Sequence, residues 1–184
     1  MFEVKHRVVF FHGYGSDCET NKFTHITHPF KTCTTVDYTQ MPYQDVYDLY
    51  SEIVSDCYDQ CDEDDFWPIL VGHSLGGYWA HRLGYDLGVP AIMLNPQLFP
   101  TKSDICDLDR YEPPGHPRAP SYFYIETGDD VIDVKRTIAY AEPLGKLYVH
   151  EGGHHKIENL DRINQLIEEV DKSHYYLVTD PCDD

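Results

Sequence analysis

Short apolar runs rich in Val, Ile and aromatic residues alternate along this chain with longer stretches whose apolar residues recur every three or four positions. A run of four to eight apolar residues suits a strand buried on both faces, and the longer period suits an amphipathic helix. The alternation therefore predicts an α/β protein, with a mostly parallel central sheet and helices on both faces. Strands are expected over residues 7–11, 32–36, 68–72, 91–94, 121–126 and 146–150, and helices over 43–58, 75–84, 134–141 and 157–170. In the first of these helices Val46, Tyr47, Leu49, Tyr50, Ile53, Val54 and Cys57 share one face, and an acidic turn at 62–65 closes the unit. The Pro-rich stretch 97–120 has no clear period and is too long for an ordinary connection, so it is expected to contribute to a substrate site. No internal repeat or compositional boundary divides the chain, and residues 1–184 read as one domain.

Composition narrows the function classes. Hydrophobic residues make up 41% and aromatics 14% of the 184 residues, enough for a packed core. Lys+Arg 14 against Asp+Glu 32 leaves a net charge of -18, whose field repels nucleic acid and anionic membranes. The apolar run at 8–11 is too short for a signal-peptide core or a membrane span, so a cytoplasmic location and no membrane association are expected. The six cysteines, at 18, 33, 57, 61, 106 and 182, form no CxxC pair or regular framework and read as free thiols. Cys57 and Cys61 lack a companion ligand, as do His25 and His28, so no metal is expected.

The strongest chemical signal is Gly72-His73-Ser74-Leu75-Gly76, a GxSxG pattern between an expected strand and an expected helix. A nucleophilic serine must project where substrate and base can reach it. That requires a strained strand-to-helix turn, with glycines that let the two elements approach closely. The helix beginning after Ser74 directs free N–H groups at the site, which makes the Leu75 amide a candidate oxyanion donor. A second donor is expected from the Tyr14 backbone in His12-Gly13-Tyr14-Gly15-Ser16, the loop after the first strand. Either motif alone can be a glycine-rich turn that only ends a strand; together they gain weight.

Such a serine needs a base, and the base needs an acid to hold its tautomer. After Ser74 the chain offers Thr127-Gly128-Asp129-Asp130-Val131-Ile132-Asp133 and then Gly152-Gly153-His154-His155, both at strand C-terminal ends, where open α/β sheets carry their sites. Asp129 follows its strand most closely. Asp130 is the alternative, and Asp133 suits the N-cap of the next helix. His155 is favoured over His154 because Gly152-Gly153 gives a flexible approach and the final helix is expected to follow. His12 is expected to support its own loop, and His73 to fill the variable position of the motif.

The run Val71-Gly72-His73-Ser74-Leu75-Gly76-Gly77-Tyr78-Trp79-Ala80, with Pro90-Ala91, Asn95-Pro96, the segment 126–133 and Glu151-Gly152-Gly153-His154-His155, resembles the YqiA-type family of small bacterial esterases in the α/β-hydrolase superfamily. The resemblance runs from the His12-Gly13 loop to the last helix. It implies a compact α/β-hydrolase fold with a minimal cap, cleaving carboxylic esters or acyl thioesters without a cofactor, with Ser74 as nucleophile, Asp129 as acid and His155 as base. His154 stands where that family usually has an acidic residue. The expected substrate is a small-molecule ester or thioester. A non-catalytic binding protein on the same fold, and an amidase or peptidase using the same three residues, are the alternative readings. Tyr14, Tyr78, Leu98, Phe99 and Tyr122 lie near enough to the relevant strand ends to line a pocket. Lys102, Arg110 or Arg118 could supply a local basic patch.

Overall fold

The computed structural model describes residues 5–59 and 66–178. In chain order the elements are β1 (Lys5–Phe11), α1 (Asn21–His25), β2 (Lys31–Cys33), α2 (Tyr43–Asp59), β3 (Phe66–His73), α3 (Leu75–Leu87), β4 (Ala91–Leu94), β5 (Ser121–Glu126), α4 (Val134–Ala141), β6 (Lys146–His150) and α5 (Asp161–Val178), with a 3-10 turn at Leu108–Arg110. The six strands pair in the order β2-β1-β3-β4-β5-β6, and every pairing is parallel.

Burial explains the order. All four residues of β4 and all six of β5 are buried, as are Val8 to Phe11 of β1 and Ile69 to Val71 of β3, so these continuous apolar runs occupy the middle of the sheet. β2 and β6 are only partly covered and take the edges. The period-two alternation within strands divides two cores. Val9, Phe11, Leu70, Met93 and Phe123 face α2 and α3, meeting Val46, Tyr50, Val54, Trp79 and Leu83. Val8, Phe10, Ile69, Val71, Ile92 and Leu94 face the other way, toward Ile26 after α1 and Ile163, Leu166, Ile167 and Val170 of α5. Each such aliphatic side chain contributes roughly 1.5–3 kcal/mol by leaving water. Trp79 anchors the first core, its ring 4.9 Å from that of Tyr43 and 5.5 Å from that of Tyr111.

The periodic pattern gave β4, β5, α4 and β6 their observed bounds. β2 stops at Cys33, short of the expected 36, because the Val36 amide is taken by the His12 ring at 2.9 Å rather than by a neighbouring strand. The five-residue α1 is too short to show a period and was not expected. The last helix begins at Asp161, not 157, for a reason that belongs to the site below. The expected acidic turn at 62–65 lies outside the described residues.

The expectation of free thiols at all six cysteines fails at one pair. Cys18, in the loop after β1, is disulfide-bonded to Cys33 at the end of β2, with Cα atoms 5.7 Å apart. β1 and β2 are sheet neighbours, so the loop leaving β1 passes the end of β2, a proximity that a sequence separation of 15 does not reveal. Cys106 is a free thiol, and Cys57 is buried in the core. Cys61 and Cys182 lie outside the described residues. No helix among the described residues is long and apolar enough to cross a membrane.

Candidate active site

β3 ends at His73 and α3 begins at Leu75, so Ser74 alone makes the turn. It does so at φ 56°, ψ -121°, a conformation that side-chain-bearing residues rarely adopt and that costs of order 1–3 kcal/mol. The glycines around it are required by close approach. A Cβ on Gly72 would lie 2.0 Å from the Gly76 carbonyl oxygen, and one on Gly76 would lie 2.0 Å from the carbonyl oxygen of Phe11 on β1. Both obstacles are backbone and cannot rotate away. Gly76→Ala is therefore expected to destabilise the fold by more than about 2 kcal/mol, read as a lower urea midpoint in chemical unfolding.

Three of the sequence candidates converge at the C-terminal edge of the sheet. Ser74 Oγ lies 2.9 Å from His155 Nε2, and His155 Nδ1 lies 2.7 Å from Asp129 Oδ2. An ionised carboxylate only accepts, so Nδ1–H donates to Asp129 and Nε2 is left to accept the serine proton. The other oxygen, Asp129 Oδ1, accepts from the amides of Val131 at 2.8 Å and Ile132 at 3.1 Å. Burial works against the charged form of Asp129, but the His155 hydrogen bond and these two amides outweigh it and hold its carboxyl below the ordinary range. The alternatives are placed elsewhere: Asp130 is exposed, and Asp133 caps α4 by accepting from the Arg136 amide at 3.0 Å. His154 is exposed and meets Asp129 in no hydrogen bond among the described residues. His12 supports its loop as expected, donating from Nδ1 to the Gly13 carbonyl at 2.8 Å while Nε2 accepts from Val36. His73 does more than fill a position. Its Nε2–H donates to the His155 carbonyl at 2.7 Å, and burial, then the charge of Lys22, lower its pKa to about 3, which keeps the ring neutral.

Two residues that sequence reasoning left without a role fix the backbone around His155. Asn95, fully buried after β4, donates from Nδ2 to the carbonyls of His154 at 3.0 Å and His155 at 3.3 Å, and its Oδ1 accepts from the Glu126 amide at 2.8 Å. Glu126, the fully buried last residue of β5, accepts from the amides of His154, Glu158 and Asn159 and from the Tyr124 hydroxyl. This carboxylate holds residues 154–159 as a loop, with Ile157 at φ 62°, and so delays the start of α5 to Asp161. Gly153, at φ 68°, lies so close that a Cβ there would come within 2.2 Å of Glu126 Oε2. The Gly152-Gly153 pair thus supplies a left-handed backbone and close packing, where flexibility was expected.

Burial opposes ionisation of Glu126, and the amide donors and Tyr124 overcome it, so its pKa too lies below the ordinary value. A depressed folded-state pKa gives stability that is fully present above the unfolded-state value of about 4 and is lost as pH falls through the folded-state value. Thermal unfolding followed against pH is expected to show a falling Tm below about pH 4. Glu126→Gln, which sets an amide N–H against backbone N–H groups, is expected to lower stability by about 2 kcal/mol or more at neutral pH and to flatten that acid limb.

Two hollows flank Ser74. One, of about 200 Å³, is lined by apolar atoms of Leu75, Pro100, Ile105 and Val131 together with Tyr14 and Lys102. The other, of about 480 Å³, is polar and runs from Gly13 and Ser16 past His73 to Lys156. The start of segment 97–120 lines the apolar hollow, through Gln97, Pro100, Lys102 and Ile105. Of the expected lining residues only Tyr14 reaches the site. Tyr78, Leu98 and Tyr122 are buried in the cores, and Phe99 packs on Tyr140 and under Arg136. Of the three expected cations, Lys102 lines the apolar hollow, Arg110 sits over the Tyr43 ring, and Arg118 lines neither hollow. The amides of Tyr14 and Leu75 have no acceptor among the described residues. No three His, Cys, Asp or Glu side chains among the described residues gather closely enough to hold a metal ion.

An all-parallel sheet with a serine on the turn after β3 and a carboxylate and histidine after later strands defines the α/β-hydrolase class, and solved members share the architecture. Est1E from Butyrivibrio proteoclasticus, in a structure with ferulic acid bound, superposes with a TM-score of 0.68 at 12% identity, over 97% of this chain and 91% of that one. An esterase from Pyrobaculum calidifontis gives a TM-score of 0.68 at 14% identity, over 95% and 78%. At such identities the likeness is one of fold. The chain belongs to the UPF0227 (YqiA-like) family, described as an uncharacterised protein family, whose model matches residues 7–124. UPF0227 proteins of Shewanella sediminis and Vibrio parahaemolyticus are 32% and 31% identical over 108 residues, 57% of this chain and 59% of each relative. A Shewanella woodyi member is 45% identical over 49 residues, 27% of each chain. The matched stretches thus span less than two thirds of those relatives. The family match includes Ser74 and Asn95 but ends before Asp129 and His155, which stand on geometry alone.

Proposed function

We propose that the protein is a serine hydrolase that cleaves carboxylic esters or acyl thioesters of small to medium acyl chains through an acyl-enzyme. The observation that carries this reading is the continuous relay from the strained Ser74 through His155 to Asp129, at 2.9 and 2.7 Å. In the first step Ser74 Oγ bonds to the substrate carbonyl carbon as its proton passes to His155 Nε2. The carbon–oxygen or carbon–sulfur bond to the leaving group then breaks, and His155 returns the proton to that group. Asp129 holds the imidazolium, and the unpaired amides of Tyr14 and Leu75 receive the oxyanion. Water, deprotonated by His155, then attacks the acyl-serine and frees the acid. The esterases among the structural neighbours add support for the hydrolase class.

The test combines turnover and labelling. Purified protein is offered p-nitrophenyl esters of increasing acyl length and, separately, a fluorophosphonate that captures activated serines. Turnover together with a covalent adduct mapped to Ser74 is the expected result; a folded protein that neither hydrolyses the esters nor takes the label overturns the reading.

A further inference from the structure

The polar hollow beside Ser74 has an electrostatic character opposite to that of the molecule. The chain carries a net charge of -18, yet this 480 Å³ hollow is lined by two lysines, Lys22 and Lys156, and by no carboxylate. Lys22, in α1, is 6% exposed and lines the hollow, and among the described residues it makes no hydrogen bond and no ion pair. A buried ammonium is ordinarily paired, because losing its water without a partner is strongly unfavourable. Lys156, directly after His155, also has no ion-pair partner among the described residues. Three acids near the site have other places: Asp129 is bound to His155, Asp104 accepts from the Tyr14 hydroxyl, and Asp17 lines an adjoining hollow with Asp37 and Thr39. Burial, and then the charge of Lys156, lower the pKa of Lys22, as expected where two cations share a space without a counter-charge. Ser16, Thr20 and Asn21 add uncharged hydrogen-bonding groups to the same wall.

We propose that this hollow is an anion subsite, and that the substrate is an ester or thioester carrying a carboxylate or phosphate held by Lys22 and Lys156 while the scissile carbonyl lies at Ser74. The proposal rests on the serine-hydrolase reading and names its substrate class. The apolar hollow on the other side of Ser74 takes the uncharged part of the same molecule. Together the two hollows give the site a polarity: one end of the substrate is anionic, the other aliphatic or aromatic.

Paired substrates test this, in two arms that separate an anion on the acyl side from one on the leaving group. The first arm compares p-nitrophenyl hemiglutarate with p-nitrophenyl valerate, and the second compares 4-carboxyphenyl butyrate with phenyl butyrate. In one arm the anionic ester is expected to show a KM about tenfold lower than its neutral partner, the size of one charge-assisted contact. Lys22→Met should cut that preference about tenfold, Lys156→Met should cut it less, and Lys22→Arg should retain most of it. Equal KM values within both pairs, or a preference unchanged in both methionine variants, overturn the proposal. Calorimetric titration with glutarate and with inorganic phosphate reads the subsite without turnover. If no ester is cleaved, binding that weakens in Lys22→Met and in Lys156→Met still supports the subsite while the hydrolase reading falls. Absence of binding by either anion overturns the subsite whatever the esterase assay gives.

Discussion

Ser74→Ala is expected to lower ester turnover by about 10⁴-fold or more while leaving the fold in place. Ser74 is mostly buried, but its side chain is small and ends at the hollows rather than in the core, so losing one hydroxyl leaves no cavity. Alanine must adopt the same φ of 56°, a strain the turn already bears. Circular dichroism and thermal unfolding should therefore change little, while kcat falls to the residual rate that oxyanion donors and substrate binding alone can sustain. A variant that kept turnover within tenfold of the parent would move the nucleophile elsewhere and sink the proposed mechanism.

The second large effect is expected at Asp129, and its contrast with Asp130 makes it decisive. Asp129→Asn keeps the shape of the side chain but replaces an acceptor with an N–H donor opposite His155 Nδ1 or opposite the Val131 and Ile132 amides. The imidazole is then driven to the tautomer with a proton on Nε2, where it cannot take one from Ser74. A loss of about 10⁴-fold in kcat is expected. Asp130→Asn alters an exposed side chain and is expected to stay within about threefold of the parent, in line with the small effects of surface substitutions. Measuring both variants on one ester, with unfolding curves alongside, separates a lost acid from a lost fold. Comparable losses in the two would show that the relay seen here is not the one that operates.

The residues legible in the sequence share a cause. Ser74, Asp129 and His155 each follow a strand, and the strands are continuous apolar runs that pattern alone locates. The C-terminal edge of a parallel sheet then gathers whatever those loops carry. What stayed hidden depends on partners distant in sequence. Glu126 reads as the polar end of a strand, and nothing local shows that the amides of residues 154, 158 and 159 will close around it. Those bonds also stop helical geometry over 157–160, which has an otherwise helical pattern. Lys22 sits in a helix of five residues, too brief for any period to emerge. The bond between Cys18 and Cys33 required knowing that β1 and β2 lie side by side.

The strand order sets the sequence in which the molecule can assemble itself. β1 finds its longer partner in β3, with Val8 aligned to Ile69 and Phe11 to Gly72, so the centre of the sheet waits on the closure of a loop of about sixty residues. Such closures carry an entropy cost before any contact rewards them, which makes folding of parallel sheets slow. The turn at Ser74 can take its strained shape once β1, β3 and β4 have met, since the glycine contacts and the Ser74 amide bond to Leu94 all lie within that unit. Within that unit the loop bearing His155 is held only at its carbonyls, by Asn95 and the His73 ring, and its amides find their acceptor when β5 brings Glu126 alongside Asn95. In refolding Ser74 is therefore expected to take its shape before His155 is fully held beside it, and chains arrested between those stages would lack the proposed relay.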